Sequence, residues 1–464
     1  MNQYDIVIIG AGAGGLTAAY TAKGFGKKVA LIEKNNPGGE CTWSGCVPSK
    51  ALINIAKDIH TAKKYADIKV DTEDVLQKVR KVIQNVYEGE TPDILEKDGI
   101  DFIKGFAKFV DENTLDVNGN IIKGKKIIIS TGSSPFIPPI KGLDKVNFFT
   151  NENIFIQKKL PDNIIVLGGG AIGVELSQAL NRLGIKVSLV EMMDRVLFRE
   201  EEELVKLLEE KLVDEGVNLY TSTKAIDVNE VNNKIRLKVE RKNKIDILEG
   251  DAILLALGRT PNISDLNLGQ IKIKFNRKGI EVNEYLETSV KDIYAVGDVV
   301  GPYQFSHMAN VQGITAVQNA LLPINKKIDY SHVAWCTFCE PELARAGLTE
   351  KEARDKYKDN IRVYTETYNK LDRAKTKEDS LGIVKIICDK KGKVLGASVL
   401  GDRAGEIISE IQTVKTLGIN FAKLSKVIHP YPTYSEILVK ISKKVYVDNI
   451  LNNPFIKIIN GFRK

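Results

Sequence analysis

Residues 5–33 read DIVIIGAGAGGLTAAYTAKGFGKKVALIE, and this stretch decides the fold. Residues 5–9 are short, continuous and β-branched, the pattern of a strand buried on both faces. Gly10-Ala-Gly12-Ala-Gly14-Gly15 follows, then helical spacing, then a second strand-like run ending at Glu33. A strand, a glycine-rich turn, a helix and a strand closed by an acid make the βαβ unit that takes a dinucleotide. Gly10 permits the tight turn, Gly12 lets backbone approach a pyrophosphate, and Gly15 lets helix pack closely on strand. The open N–H groups at the helix start favour the phosphate. Glu33 stands where a carboxylate can accept from a ribose hydroxyl.

Working outward, the pattern recurs. Residues 164–167 (IIVL) lead into Gly168-Gly-Gly170-Ala-Ile172-Gly173, a helical VELSQALNRLG and a strand KVSLVE ending at Glu191. Two such units imply two nucleotides, with electrons passed between them. Glu191 favours NAD, because an acid takes the 2′-hydroxyl and repels the 2′-phosphate of NADP. Arg195 nearby leaves NADP(H) open. KGKKIIISTGSSP (123–135), DAILLALGRTPN (251–262) and DIYAVGDVVG (292–301) are further strands closed by glycine turns, and Asp298 could hold sugar or ribitol hydroxyls.

The rest of the chain sets limits. At 464 residues it has room for about three domains. The net charge of +7 is spread along the chain, so no nucleic-acid partner is expected. Hydrophobic residues at 43% with 27% charged exclude general disorder. No apolar run approaches the roughly 18 residues of a membrane span, and the first residues lack the basic start of a signal peptide. The terminal stretch 440–464 is read as a packed or solvated helix rather than a membrane anchor. Five cysteines cannot make a secreted disulfide framework, so a reducing cytoplasm is expected.

Cys41 and Cys46 lie in GGECTWSGCVPSKA (38–51). Five residues of regular helix rise about 7.5 Å, too far for a bond between sulfurs. Gly45 and Pro48 permit a distorted turn that closes the gap, and a helix start lowers a thiol's pKa. Cys336 and Cys339 (AWCTFCEP) fall in a strand-like segment whose odd offset puts them on opposite faces. They are read as core, as is Cys388. No second CxxC completes a zinc site, and no metal is expected.

GGECTWSGCVPSKAL resembles the redox-disulfide segment of the class I pyridine nucleotide–disulfide oxidoreductases, which include dihydrolipoamide dehydrogenase, glutathione reductase and mercuric reductase. TGSSP, GGGAIGVE, LGRTPN, AVGDV, PELARAGLTE, AGEIISE and PTYSE fall in the family's order. The resemblance implies an α/β protein of two Rossmann-like domains and a C-terminal α+β dimerisation domain. Residues 1–148 and 272–334 would bind FAD and carry the disulfide, 149–271 would bind NAD(P), and 335–464 would form the interface of a homodimer.

It also implies residue roles. FAD would meet Gly10, Gly12, Gly14, Gly15, Glu33, Lys34, Gly39, Lys50, Thr131, Gly132, Asp298 and His307. The nicotinamide nucleotide would meet Gly168, Gly170, Ile172, Gly173, Glu191 and Gly258. Cys46 would lie against the flavin, Cys41 would attack the substrate, and Lys50 would sit near the flavin paired with Glu175.

One departure bears on the substrate. The family's disulfide reductases carry a His directly before Pro-Thr, with a Glu five positions after that His. Here the segment is His429-Pro430-Tyr431-Pro432-Thr433-Tyr434-Ser435-Glu436, so Tyr431 takes the histidine's place. A tyrosine titrating near 10 cannot serve as base at neutral pH as a histidine does. Mercuric reductases share that tyrosine but carry a C-terminal cysteine pair, and no cysteine follows Cys388 here. The expectation is a mercuric-reductase-like enzyme with an unassigned small-molecule acceptor. The alternatives are dihydrolipoamide dehydrogenase with His429 and Glu436 as acid–base pair, His429 otherwise being a packed loop residue, and a flavin-bearing subunit without turnover.

Overall fold

A computed structural model describes residues 2–378 and 381–452. Residues 453–464, the end of the stretch read as a terminal helix, lie outside the described residues; Glu436–Leu451 is a helix. The first sheet is built around Asn2–Ile9, with Val29–Glu33 parallel on one side and Asn120–Ile129 parallel on the other. Val7 and Ile9 pack into one core and Ile6 and Ile8 into another, so both faces of the central strand are covered. That double burial is why the strand reads as a continuous apolar run. Asp101–Lys104 extends one edge, and Thr114–Val117 and Ala107–Asp111 extend the other.

The second sheet repeats the plan. Asn163–Leu167 lies between Lys186–Val190 and Ala252–Leu255, all parallel, with Asn218–Tyr220 and Phe148–Phe149 at the edges. In both sheets the glycine turn leaves the central strand where the strand order reverses, the point at which open α/β sheets bind ligands. Ile293–Ala295 returns to the first sheet, parallel to Asn120–Ile129. Arg259–Pro261 pairs antiparallel with Ser133–Pro135, joining the crossings between the two sheets. A third, antiparallel sheet runs Ala334–Thr337, Glu342–Gly347, Val394–Gly401, Ile383–Asp389, Ile361–Thr367 and packs on helices Ala404–Thr416 and Glu436–Leu451. The fold is the expected mixed α/β architecture.

Helix Cys46–Ala62 begins at the second of the paired cysteines and lies along helix Ala171–Arg182 of the second unit. Lys50 Nζ meets Glu175 Oε2 at 2.8 Å near one end, and Lys63 Nζ reaches the Arg182 carbonyl at 3.0 Å at the other. Between them, Lys57 pairs with Glu340 at 2.7 Å, which also takes Arg182. Leu52 and Ala56 share a core with Val174 and Leu176. Among the described residues, no helix is long and apolar enough to cross a membrane.

Candidate active site

Both glycine turns have the same geometry. Gly10 and Gly168 sit at φ +101° and +107°, in the region that favours glycine. A Cβ on Gly15 would fall 1.8 Å from the Gly10 carbonyl oxygen, and one on Gly173 1.8 Å from that of Gly168. Gly12 and Gly170 cap the following helices without a side-chain hydrogen bond, which leaves the first N–H groups open. Glu33 accepts from the backbone N–H of Ala11 and of Asn35, both at 2.9 Å. Glu191 accepts from Gly169 at 2.6 Å and Met193 at 2.7 Å. A carboxylate has about four acceptor sites, so each acid keeps capacity for ribose hydroxyls.

These parts open on one cavity of about 3350 Å³. It is lined by Gly10, Gly12, Gly14, Glu33, Lys34, Gly39, Thr131, Gly132, Asp298 and His307 from the first set, and Gly168, Gly170, Ile172, Glu191 and Gly258 from the second. Cys41, Cys46, Lys50 and Glu175 line it as well. Gly15 and Gly173 are buried behind it as spacers. Two turns that a Cβ would fill, each with an acid fixed at the strand end, fit the two dinucleotides the sequence implies.

The thiols sit at a helix break. Helix Gly39–Trp43 ends and helix Cys46–Ala62 begins across Ser44 and Gly45, where Glu40's carbonyl accepts from both Ser44 and Gly45. A Cβ on Gly45 would lie 2.9 Å from the Glu40 oxygen, so the break needs glycine. Both cysteines are free thiols, and each acts on the other's ionisation. The neighbouring Cys41 thiol pulls Cys46 down to about 6, helped by the Lys50 ammonium and the Ser306 hydroxyl against burial. The Cys46 neighbour and burial push Cys41 above its usual range. Ser306 Oγ lies 3.8 Å from Cys46 Sγ. The surroundings thus favour the thiolate at Cys46 and the protonated thiol at Cys41.

Lys50's partner Glu175 has a side chain only 5% exposed and also accepts from the Phe338 N–H at 2.8 Å. The Lys50 ammonium stands 4.8 Å from the Phe338 ring centre. Sequence reasoning missed Ser306 and a polar cluster next to Cys41, where Arg259 grips both oxygens of Glu40. It also missed an aromatic group on the cavity wall. Phe305 stacks on His307 and Trp335, at 5.2 and 5.8 Å between ring centres, and Tyr303 stands beside them.

Three of the expected residues lie elsewhere in this chain, two in the 429–436 loop and Glu436 at the start of the last helix. His429 faces Glu410 at 2.9 Å and the Val427 carbonyl at 3.2 Å, while Glu436 pairs with Lys440 at 3.2 Å. The expected pairing of His429 with Glu436 therefore does not form. Tyr431 is 70% exposed and donates to Asp372 at 2.9 Å, and that carboxylate raises the phenol's pKa.

The strand carrying Cys336 ends at Thr337, so the opposite-faces reading of Cys336 and Cys339 fails. Both thiols donate to the Thr337 carbonyl. Cys339 and Cys388 are core residues, but Cys336 lines the cavity, and burial pushes all three above the usual thiol range. Among the described residues no cluster of three His, Cys, Asp or Glu side chains could hold a metal ion.

The pattern described as "Pyridine nucleotide-disulphide oxidoreductase" matches residues 4–321, and that family's dimerisation domain matches residues 333–441. The chain belongs to the pyridine nucleotide-disulphide oxidoreductase family. As a member of it, the protein is an NAD(P)H-dependent flavoprotein disulfide oxidoreductase, and the family implies FAD and a pyridine nucleotide. The chain is 33% identical to a mercuric reductase of Lysinibacillus sphaericus, over 94% of this chain and 81% of that one. It is 32% identical to a dihydrolipoyl dehydrogenase of Thermus scotoductus, over 96% and 98%. Among solved structures it resembles the Cu(II) complex of the HOCl-induced flavoprotein disulfide reductase RclA from Escherichia coli. That match has a TM-score of 0.88 and 30% identity, covering 96% of this chain and 100% of the other.

Proposed function

We propose that this oxidoreductase passes electrons from NADH through FAD to the Cys41–Cys46 pair and on to an external small-molecule acceptor. The observation that carries this reading is the placing of Cys41 and Cys46, with Lys50 and Glu175, in the one cavity that also holds both dinucleotide turns, where the surroundings favour a thiolate at Cys46. The first turn, with Glu33 and Asp298, would hold FAD; the second, with Glu191, would hold the nicotinamide nucleotide. Bound flavin supplies the two-electron junction between a hydride donor and a dithiol. NADH is favoured because Glu191 stands at the strand end, while Arg195 is turned to Asp194 at 3.3 Å and the Phe198 carbonyl at 3.0 Å.

On the acceptor side, Cys41 attacks and Cys46 then closes the disulfide, displacing the reduced product. Neither His429 nor Tyr431 lines the cavity of its own chain; in the homodimer that the dimerisation domain suggests, the 429–436 loop would complete the partner's disulfide site, with Tyr431 in place of the family's histidine base. That suits an acceptor that needs thiolate delivery, as mercuric ion does. The second reading is dihydrolipoamide dehydrogenase, supported by the likeness along 98% of the Thermus protein. It needs a homodimer in which the 429–436 loop of a second copy brings His429 to the first copy's thiols.

Anaerobic NADH titration followed by a panel of lipoamide, glutathione disulfide, Hg(II), Cu(II) and quinones separates the readings; Cu(II) is included because of the RclA complex. Fast lipoamide reduction that survives Tyr431→Phe but not His429→Ala would replace the first reading by the second. The two nucleotide assignments are separable by glycine substitution. Gly15→Ala should lose flavin, read as the ratio of absorbance at about 450 nm to protein. Gly173→Ala should keep flavin but lose its reduction by NADH, because each Cβ closes one turn only. Flavin retained in the first variant and lost in the second would exchange the assignments.

The reduced enzyme should also titrate. With Cys46 held near 6, its thiolate is present above that pH and lost below it. The long-wavelength thiolate–flavin absorbance of the two-electron-reduced enzyme should therefore fade on acidification with a midpoint near pH 6. A midpoint near 9, the ordinary thiol value, would mean that the surroundings do not stabilise the thiolate.

A further inference from the structure

Glu40 immediately precedes Cys41 and is the only residue of helix Gly39–Trp43 whose carboxylate enters the polar cluster on the cavity wall. Arg259 bonds both of its oxygens, the Nη1 contact measuring 2.5 Å. Asn151 Nδ2 donates to Glu40 Oε1 at 2.6 Å and to the Ser44 carbonyl at 3.2 Å, spanning the stretch between the cysteines. Arg259 continues to Ser133, with Nε on the hydroxyl and Nη2 on the carbonyl, each at 2.7 Å. Ser133 Oγ donates to Asp298 at 2.6 Å, and Asp298 lies 3.4 Å from Arg259 Nε.

Residue 151 lies where the chain leaves the first sheet for the second, and residue 259 where it comes back. Both crossings are therefore fastened to the residue beside Cys41. The guanidinium and carboxylate side chains are 11% and 27% exposed, so this is a partly buried, bidentate pair with added hydrogen bonds. A surface lysine pair could not fix a backbone in this way.

We propose that Glu40 is a positioning residue for the redox step: it holds Cys41 against Cys46 and so sets the stability of their disulfide. The inference rests on the redox role proposed above for that pair. A disulfide is favoured to the extent that its two sulfurs are held together as thiols, through their effective concentration. Releasing the Cys41 helix from Arg259 and Asn151 lowers that concentration. The disulfide then becomes easier to reduce, while Cys46, held by Lys50 and Ser306 on the next helix, keeps its surroundings.

The test equilibrates flavin-loaded enzyme with dithiothreitol and its oxidised form. In each exchange the Cys41–Cys46 disulfide takes two electrons and, above about pH 6, one proton, held by Cys41; one dithiothreitol closes to its cyclic disulfide, and its second proton goes to solvent. Glu40→Ala is expected to shift the equilibrium about tenfold toward the dithiol, equivalent to about 30 mV for this two-electron couple. Glu40→Gln keeps the oxygen that Asn151 and one Arg259 N–H use, so it is expected to shift less, about threefold.

A flavin midpoint unchanged in both variants supports a local effect. Equilibria within twofold of the parent in both variants overturn the inference, as does a flavin midpoint that moves with the thiols. Cys41→Ser, assayed with 5,5′-dithiobis(2-nitrobenzoate) and NADH, reports on the underlying reading. Parental turnover in that variant would sink the thiol mechanism itself. No turnover there, with normal equilibria in the Glu40 variants, would sink the Glu40 inference alone.

Discussion

Cys46→Ser is expected to lower NADH-dependent reduction of any thiol-requiring acceptor by about 10³-fold or more, the scale on which removal of a covalent catalytic group acts. The same variant should lose the long-wavelength band of the reduced enzyme, since Cys46 carries the thiolate. Cys41→Ser should lose acceptor turnover to a similar extent yet keep a thiolate at Cys46, with its titration moved upward. The Cys41 thiol is the largest influence holding Cys46 down, and a serine hydroxyl in its place alters it. Reduction of ferricyanide, a one-electron oxidant that needs no dithiol, should survive in both. If stopped-flow spectra show the band intact in Cys46→Ser, the sulfurs have the opposite roles; if the parent never shows it, the mechanism fails.

The second large effect concerns Lys50. Lys50→Met leaves Glu175 buried with the Phe338 N–H as its remaining hydrogen-bond donor in the cavity wall. Breaking a buried pair from one side costs about 3–5 kcal/mol, and the 35% exposure of Lys50 reduces this to about 2 kcal/mol. The variant should melt at a lower temperature by calorimetry. Its thiolate band should also appear only at higher pH than the parent's, because Lys50 is one of the groups that lower Cys46. Lys50→Met combined with Glu175→Leu should recover most of the melting temperature but only part of the thiolate, since removing Glu175 also takes away a charge that raises Cys46. That split separates the structural share of the pair from its electrostatic one. A single variant that titrates as the parent does would remove Lys50 from the thiolate's support.

What was legible in the sequence were the parts whose physics is local. The dinucleotide turns are contiguous, so Gly10 to Gly15 and Gly168 to Gly173 carry their whole argument in six residues each. The break between Cys41 and Cys46 was also readable, because Gly45 lies inside it. Glu40 was not, since its partners Asn151 and Arg259 are brought to it only by the crossings between sheets. Ser306 sits 260 residues from Cys46, a distance over which no spacing rule operates.

His429 shows the reverse error. The family's His–Glu pattern suggested a pair with Glu436, but helix Ala404–Thr416 supplies Glu410 instead. The opposite-face rule applied to Cys336 and Cys339 assumed a strand that stops at Thr337. Cys336 carries no outward mark of its position on the cavity wall, because a strand residue's facing depends on what packs above it.

Helix Cys46–Ala62 is tied to helix Ala171–Arg182 near both ends and in the middle. The two rods therefore behave as one beam, with the thiol at one end and the helix proposed to hold the nicotinamide nucleotide along its length. Loosening the beam would show first in stoichiometry rather than in speed. Where the thiols no longer meet the electrons on time, dioxygen takes them instead. NADH would then still be consumed, with hydrogen peroxide accumulating in place of reduced acceptor.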